Sequence, residues 1–599
     1  MQNPDKMRHH RLPYFGFMGI LVSFLLLTAA IGQPSAVSDL TGVWQREFVL
    51  QPLVSGELLI DARERSVIAA VGGYRVHVTQ DGDRLSFSLP SHVGEFRGHL
   101  AAAGEISGHW IQPDLAFPYS QRYATPVSLL LLQPNVWRGE VTPLEPRVSI
   151  YLVIQRDAQG KLVAFFRNSE ANIFGRNRYD VTLTGDTIAL TSPRHQLTGR
   201  YDQNTQTITL PLLNGYPPVA LTRPPSGAEP LGFGLRQQAP PAYSYRPPIS
   251  LGDGWKTGTL TEVSVNEHTI EELVHAILSA DPSDDNFNIQ GLLIARHGKL
   301  VFEDYFDGFD RERPHDMRSA SKTFATVLAG IAADRGLLRT DTRIVPLFPA
   351  YEPLSNPDPR KNRITLRDLM TMTPGLACDD GNQESPGNEE TMQDQEGEPD
   401  WYRYTLDLPM VSDPGGMAPI YCSASIHLVG GAVRQVTKRW LPEVFREYIA
   451  RPLQFGMYHI NLTPTGEAYM GGGMYVRPRD QLKLGQLYLN KGIWGGRRVI
   501  SERWVRESWD VAGTFKRGVV PFDKDHRYGY AWHIHDLEWQ GRKYRDYYAG
   551  GNGGQNLIVI PDLDMVIGMT GGSYGEGMRF MRFELEYVPQ YIIAAVRDR

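Results

Sequence analysis

Apolar and polar residues alternate in short runs along residues 37–224, and turn-forming residues separate the runs. Residues 73–78, 84–89 and 108–111 are examples of this period-two pattern, which is typical of half-buried strands. Asp81-Gly82 is a strong signal for a tight hairpin turn. No stretch of this region has the spacing of a long helix, so the pattern predicts an all-β module.

A weak internal repeat divides this module into two halves. Trp44 opens one half and residues 135–139 open the other, and residues 82–87 are answered by 185–190. Two antiparallel units of about four to six strands each would form a barrel or a paired sandwich. Such a module could hold a small ligand or a polymer of the cell envelope in a cup, or it could be a spacer or docking module without chemistry.

The pattern changes after residues 225–255, a proline-rich stretch that predicts a semi-rigid linker. Apolar positions then recur at helical spacing, and these segments alternate with predicted strands. The predicted helices cover 269–280, 324–335, 365–373, 423–437, 478–490 and 591–597. The predicted strands cover 289–296, 299–306, 529–535, 543–548, 557–560 and 565–569. Strands at both ends of a helical insertion predict an α+β domain over 256–599, with one antiparallel sheet flanked by helices.

The N-terminus has the layout of a secretory signal. Lys6, Arg8 and Arg11 precede an apolar run from about residue 12 to 31. Residues 1–32 are therefore expected to be a signal peptide, or an uncleaved anchor because the run is long. We expect the rest of the chain to be exported, as a periplasmic or secreted protein.

Composition narrows the function classes. The 599 residues are 41% hydrophobic and 21% charged, as in a soluble multidomain protein. A net charge of −6 and the lack of a basic stripe argue against a nucleic-acid partner. The two cysteines, Cys378 and Cys422, exclude a disulfide scaffold and a zinc ribbon, although they could pair with each other in an exported protein.

Motifs for other enzyme classes are missing from the sequence. It has no H-E-x-x-H zinc motif, no G-x-S-x-G nucleophile elbow and no phosphate-binding glycine loop. His533 and His535 stand at strand spacing, which we interpret as a solvated strand face. We therefore expect no metal site and no cofactor.

Residues 317–324 carry the first candidate chemistry, because Ser319 is followed three residues later by Lys322. Both would lie on one face at the start of the predicted helix. A serine hydroxyl needs a neighbouring base, and a lysine can be that base if burial or nearby cations lower its pKa. By itself the motif is weak, and Ser319 could be a plain N-cap with Lys322 solvated.

Two later stretches strengthen the catalytic interpretation. Tyr421 and Ser423 stand at a loop–helix junction, from which a tyrosine hydroxyl could point at a nucleophile. Residues 549–555 contain four glycines at the start of a strand, which indicates close backbone approach or a bulge. The alternatives are a half-buried structural tyrosine and an ordinary hairpin turn.

In this order and spacing, the three stretches resemble serine hydrolases of the class C β-lactamase and penicillin-binding-protein fold. The resemblance covers about residues 260–599, with supporting stretches at 364–376 and 529–532. It implies an antiparallel five-stranded sheet flanked by helices, with a helical insertion.

The resemblance also implies roles for individual residues. Ser319 would be the acylated nucleophile, and Lys322 and Tyr421 would share its proton. The backbone N–H groups of Ser319 and Asn552 would form the oxyanion hole. Ser423, Gly551 and Gly553 would line the substrate. Which of Lys322 and Tyr421 is the base stays open, since such a pair titrates as a unit.

Two departures from the family pattern bear on the substrate. The second motif usually ends in asparagine, where this chain has Ser423, and the third usually begins with a cation, where this chain has Ala549. That cation normally meets the carboxylate of a penicillin or a D-Ala terminus. The motifs look closer to the esterase and 6-aminohexanoate-oligomer hydrolase branch, so we expect a small-molecule carboxylic ester or amide as substrate. The alternatives are a penicillin-recognising β-lactamase or D,D-peptidase, and a catalytically silent cell-envelope binding or sensor protein.

One further stretch has an unusual charge. Residues 379–400 contain nine acidic residues and no lysine or arginine. The stretch could be a solvated surface loop, or a lid over the site that disfavours anionic substrates.

Overall fold

The computed structural model describes residues 40–598, apart from 102–103, 116–120, 174–176, 194, 214–215, 226–242, 280–287, 307, 511–512, 516–525 and 576–580. The predicted signal or anchor over 1–32 and much of the predicted linker lie outside the described residues. Residues from 41 onward form one compact unit. Within the described part, no helix is both long and apolar enough to cross a bilayer.

The N-terminal part of this unit is built from antiparallel strands, in agreement with the period-two pattern. The strands are β1 (Gly42–Val49), β2 (Gly56–Asp61), β3 (Ile68–Val71), β4 (Tyr74–His77), β5 (Thr79–Asp81), β6 (Arg84–Ser88), β7 (Glu95–Leu100), β8 (Ile106–Ile111), β9 (Arg122–Gln133), β10 (Val136–Val141), β11 (Arg147–Arg156), β12 (Leu162–Asn168), β13 (Tyr179–Thr184), β14 (Thr187–Thr191), β15 (Gln196–Asp202), β16 (Thr207–Leu210) and β17 (Val219–Thr222).

These strands form a closed barrel and a second sheet. The barrel contains β1 and β11 to β17, and β1 closes it by pairing with both β11 and β17. The second sheet has the order β4-β3-β2-β10-β9-β8-β7-β6-β5. Its buried apolar side chains form one core, which includes Trp110. The two halves of the sequence repeat therefore exchange their first strands. β1 joins the barrel made by the second half, and β10 joins the sheet made by the first half.

The C-terminal part combines strands and helices. Its strands are β18 (Lys256–Thr257), β19 (Ile289–Arg296), β20 (Lys299–Tyr305), β21 (His315–Asp316), β22 (Tyr458–Leu462), β23 (Tyr475–Val476), β24 (Ile493–Trp494), β25 (Arg497–Arg498), β26 (Gly513–Thr514), β27 (Arg527–Tyr528), β28 (His533–Trp539), β29 (Arg542–Gly551), β30 (Gln555–Ile560) and β31 (Met565–Gly571). Its helices are α1 (Glu267–Ser279), α2 (Lys322–Asp334), α3 (Leu366–Met370), α4 (Glu389–Asp394), α5 (Trp401–Asp407), α6 (Ser423–Thr437), α7 (Leu441–Phe445), α8 (Pro478–Leu489), α9 (Glu502–Trp509) and α10 (Phe583–Ile593, with wide π-type turns).

The main sheet is larger than the five strands that the resemblance implies. It has nine strands in the order β18-β20-β19-β31-β30-β29-β28-β27-β26, and the edge strand β18 runs parallel to β20. The strands β18, β26 and β27 have two residues each, too few for a sequence pattern to reveal. Both faces are covered, since Leu292 and Ile294 of β19 pack in one apolar core while Leu293 and Ala295 pack in the other. This explains why β19 is apolar at consecutive positions.

The helical insertion carries the first two motifs between the two ends of the sheet, and the third motif lies on the sheet itself. Helix α6 has the bounds that the sequence pattern predicts, and α2 and α8 begin and end within two residues of their predicted bounds. The C-terminal helix differs, because α10 begins at Phe583 and lies against β28, well before the predicted start at 591.

The β-rich module is docked on the hydrolase-like region across the predicted domain boundary. Strand β22 of the insertion pairs with β9, with Ile460 opposite Ala124. The guanidinium of Arg446, which is 8% exposed, donates to the carbonyl of Val127 at 2.8 Å and also to Gly108 and Ser128. Thr125 and His459 are hydrogen-bonded at 2.7 Å beside these contacts.

We predict that Arg446→Ala weakens this junction. The substitution leaves two buried carbonyls without their charged donor, which should cost roughly 2–4 kcal/mol of unfolding free energy. Arg451→Ala is the matched control, because Arg451 is 47% exposed and its guanidinium bonds the side chains of Glu105 and Ser107 and no buried carbonyl. Urea denaturation should show a lower midpoint for Arg446→Ala than for Arg451→Ala, and equal midpoints would contradict the assigned role.

Candidate active site

Ser319 lies in a tight turn, Arg318–Ser321, that leads directly into α2. The turn is held on both sides of the serine. Asp316 accepts a hydrogen bond from the Arg318 N–H at 3.0 Å, and the hydroxyl of Ser321 donates to the Arg318 carbonyl at 2.6 Å. Arg318 itself has a φ of 46°, a conformation that costs energy for a side chain of this size. Ser319 is therefore presented by a strained turn ahead of the helix, and not by the first helical residue.

Lys322 is the first residue of α2 and is only 1% exposed. Its Nζ donates a hydrogen bond to Ser319 Oγ at 2.8 Å and another to the carbonyl oxygen of Gly471. The same Nζ lies 4.9 Å from the centroid of the Tyr421 ring. The structure thus brings Ser319, Lys322 and Tyr421 together, as the resemblance implies.

The charge of Lys322 differs from the condition set by the sequence argument. Burial does favour the neutral amine, but the neighbouring Tyr421, Glu389 and Asp380 outweigh it and raise the pKa of Lys322 above its ordinary value. Lys322 is therefore an ammonium at neutral pH, and the condition under which a lysine acts as the base is not met. The physical reason is the charge of Tyr421, to which Glu389 and Asp380 of the acidic loop add.

The second motif has two different environments. Tyr421 is half-buried, and its ring stacks on His533 at 6.2 Å between centroids. Ser423 is fully buried, and both its N–H and its hydroxyl donate to Asp380 Oδ2 at 2.7 Å. The Ser423 hydroxyl is thus used inside the protein, so this geometry does not support the expected contact with substrate.

The glycine-rich third motif brings β29 against the nucleophile turn. A Cβ on Gly551 would lie 2.4 Å from the Met317 carbonyl oxygen, so only glycine allows this approach. Gly553 has a φ of 95° and packs on the ring of Tyr574, and this contact supports the turn. Because it is a glycine, Gly553 has no side chain that could face a substrate. Asn552 between them is exposed, and its side chain accepts a hydrogen bond from the Gly575 N–H at 3.0 Å.

The acidic loop 379–400 reaches into the site at two points. Asp380 binds the first turn of α6 through Ser423, and burial raises the pKa of Asp380 to about 7, with Glu389 adding to the rise. Glu389 accepts a hydrogen bond from the Tyr469 hydroxyl at 2.6 Å. A disulfide between Cys378 and Cys422 ties the base of the loop to the residue after Tyr421.

Asp380, Glu389 and Gly471 are the contributors that sequence reasoning missed. The nine acidic residues of the loop were a signal for the first two, but nothing in the sequence tells which of the nine carboxylates turn inward. Gly471 acts through its backbone carbonyl, which every residue type carries, so no sequence signal exists for it.

The comparison with known families agrees with this geometry. The family model Beta-lactamase matches residues 288–582, which include Ser319, Lys322, Tyr421 and the glycine-rich strand. Residues 288–582 are a domain of the beta-lactamase family. The chain is a serine hydrolase related to the β-lactamases.

Proteins similar to this chain include two named hydrolases and a penicillin-binding-protein homologue. The chain is 24% identical to the 6-aminohexanoate-dimer hydrolase of Paenarthrobacter ureafaciens over 290 residues, 46% of this chain and 70% of the relative. Among solved structures, EstCE1, a hydrolase with promiscuous acyltransferase activity, is 16% identical with a TM-score of 0.44 and covers 55% of this chain and 99% of its own. A penicillin-binding protein homologue from Caulobacter crescentus is 14% identical with a TM-score of 0.39, and covers 49% and 90%.

We predict that Gly551→Ala disables the hydrolase while leaving it folded. The new methyl group would meet the Met317 carbonyl at 2.4 Å and push the strand away from Ser319. A displacement of this kind should lower kcat/KM for a chromogenic ester about 100-fold. Gly397→Ala is the control, because its Cβ would come no closer than 3.6 Å to Gln395. Unchanged kinetics in Gly551→Ala would show that the strand does not support the nucleophile.

Proposed function

We propose that this hydrolase cleaves a carboxylic ester or small amide through a covalent acyl-enzyme on Ser319. The observation that carries the proposal is the 2.8 Å hydrogen bond from the buried Lys322 ammonium to Ser319 Oγ, at a turn packed against the glycine strand. A hydroxyl held this way is oriented for attack, and the adjacent cation stabilises the oxygen as its proton leaves.

The charge of Lys322 supports Tyr421 as the general base. An ammonium has no lone pair to accept the Ser319 proton, whereas the Tyr421 oxygen can accept it as a phenolate, with Lys322 balancing the charge. In acylation, the proton of Ser319 passes to Tyr421 as Ser319 Oγ forms a bond to the acyl carbon, and Tyr421 returns that proton to the alcohol or amine as its bond to the acyl carbon breaks. In deacylation, Tyr421 accepts a proton from water as the water oxygen bonds to the acyl carbon, and Tyr421 then gives that proton to Ser319 Oγ as the acyl–Ser319 bond breaks.

The oxyanion of the tetrahedral intermediate needs donors beside Ser319. We assign the backbone N–H groups of Ser319 and Asn552, because Gly551 brings the strand into contact with the serine turn. Asn552 directly follows that contact and is exposed, which supports the assignment.

Two features of the site bear on the charge of its substrate. Ala549, at the position where penicillin-recognising relatives carry a cation, is 2% exposed within an apolar core, so no cation stands there. Glu389 and Asp380 place negative charge near Lys322 instead. Both features favour a neutral or cationic acyl compound over a carboxylate such as penicillin.

We place the enzyme outside the cytoplasm. The disulfide between Cys378 and Cys422 would form and persist in an oxidising compartment. The N-terminal pattern is that of a secretory signal. A cell-envelope ligand for the β-rich module is part of the same proposal, since the module is docked beside the hydrolase domain.

We predict that Ser319→Ala abolishes hydrolysis. The full-length protein should turn over p-nitrophenyl butyrate, and the variant should lose at least about 1000-fold in kcat/KM because the covalent step is lost. Ser355→Ala is the control, because Ser355 is exposed and its hydroxyl bonds Asp407 instead of a residue of the nucleophile turn. Equal activity in Ser319→Ala and the parent protein would contradict the assignment. Covalent capture of a fluorescent penicillin in preference to the esters would support the β-lactamase alternative.

We predict that Glu389→Gln moves the alkaline limb of the pH profile of kcat/KM to lower pH. The Glu389 carboxylate helps to raise the pKa of Lys322, so its removal lets the ammonium lose its proton at lower pH. Glu390→Gln, an exposed neighbour on the same helix, should leave the limb in place. If the acid limb moves instead, neutral Lys322 is the base and the assignment to Tyr421 is wrong.

A further inference from the structure

A second cluster of polar side chains lies behind the active site, on the face of the sheet that α10 covers. His535 of β28 and Asp546 of β29 are directly opposite each other in the antiparallel register. Glu584 of α10 reaches the same point, and the side chains of the three residues are 4%, 0% and 0% exposed. One donor atom from each side chain lies within 4.8 Å of the others. The solvated face expected for His533 and His535 is thus wrong, because α10 packs over the strand that carries them.

The contacts within this cluster do not neutralise its charge. His535 Nδ1 lies 2.6 Å from Glu584 Oε1, but no described N–H or O–H group donates to either oxygen of Asp546 or to Glu584 Oε2. Two adjacent carboxylates in a dry interior are costly unless a proton or a cation lies between them.

The donor set matches a particular kind of cation. Imidazole nitrogen and carboxylate oxygen are both ligands that Zn²⁺ takes, with bonds of about 2.0–2.2 Å, and an imidazole favours a transition metal over Mg²⁺ or Ca²⁺. Ligand atoms in such a tetrahedral site stand roughly 3.3 Å apart, so His535 and Glu584 would need to separate by less than about 1 Å. His526 lies close by, with its ring centroid 5.0 Å from that of His535, and is a candidate for the remaining position.

We propose that His535, Asp546 and Glu584 bind a divalent transition-metal ion, for which Zn²⁺ is the best match. The ion would clamp α10 to the paired strands β28 and β29. On the same strands, His533 stacks on Tyr548 at 4.7 Å and on Tyr421 at 6.2 Å. The site is therefore structural, and it stiffens the surface on which the active-site tyrosine rests.

Metal analysis of the full-length protein tests the proposal without reference to activity. The protein is purified without a histidine tag, stripped with a chelator and titrated with Zn²⁺ alone. We expect about one tightly held Zn²⁺ per chain, a higher Tm for the loaded protein than for the stripped protein, and the visible absorption of tetrahedral Co²⁺ when Co²⁺ is used instead. A parent protein that holds no tight Zn²⁺ and shows no Tm shift would overturn the proposal, whatever its variants do.

Matched variants locate the ion. Asp546→Asn and Glu584→Gln should lose the tight equivalent and the Co²⁺ spectrum. Asp536→Asn, on the exposed side of β28, and Glu586→Gln, on α10 and 43% exposed, should keep both. If Asp546→Asn keeps the same Zn²⁺ content and has a higher Tm than the parent, the two carboxyl groups share a proton and the cluster is not a metal site.

Discussion

The structure of the active site depends on one buried positive charge, the ammonium of Lys322. It is nearly inaccessible to solvent, yet burial does not neutralise it, because negative groups surround it. This charge fixes Ser319 by a hydrogen bond and takes a second bond to the Gly471 carbonyl. The site therefore requires that three separate segments, the nucleophile turn, the 471 backbone and the Tyr421 motif, meet at a single nitrogen atom.

The surrounding architecture can be understood as support for that meeting point. The disulfide holds the acidic loop to the start of α6, and Asp380 binds the same helix end through Ser423. On the opposite side, glycine at 551 lets β29 contact the serine turn. The β-rich module also supports the insertion that carries Gly471. Its strand β9 pairs with β22 of the insertion and accepts a hydrogen bond from the buried Arg446.

The sequence predicted those features that depend on local pattern. Helix α6 and the hairpin between β19 and β20 were predicted closely, because helical spacing and the His297-Gly298 turn are local signals. Ser319, Lys322 and Tyr421 could be chosen because their types and spacing resemble a known family. The exchange of β1 and β10 between the two sheets could not be predicted, since strand pairing at long range leaves no local trace.

The burial of His533 and His535 and the charge of Lys322 could be predicted less well than the local structure, because both depend on residues that are distant in sequence. The alternation at His533 and His535 is the same whether water or α10 covers that face, and only the tertiary structure decides. In the same way, the pKa of Lys322 is raised by Tyr421, Glu389 and Asp380, which are far from it in sequence, so the motif alone cannot give the direction of the shift.

The most direct test of this account is to trap the covalent intermediate. The full-length protein is treated with a fluorophosphonate probe, which reacts with activated serines, and the modified peptide is identified by mass spectrometry. The account predicts one adduct, on Ser319, that forms more slowly once Lys322 is replaced by methionine. An adduct on another residue, or continued ester hydrolysis by a protein that the probe does not label, would contradict it.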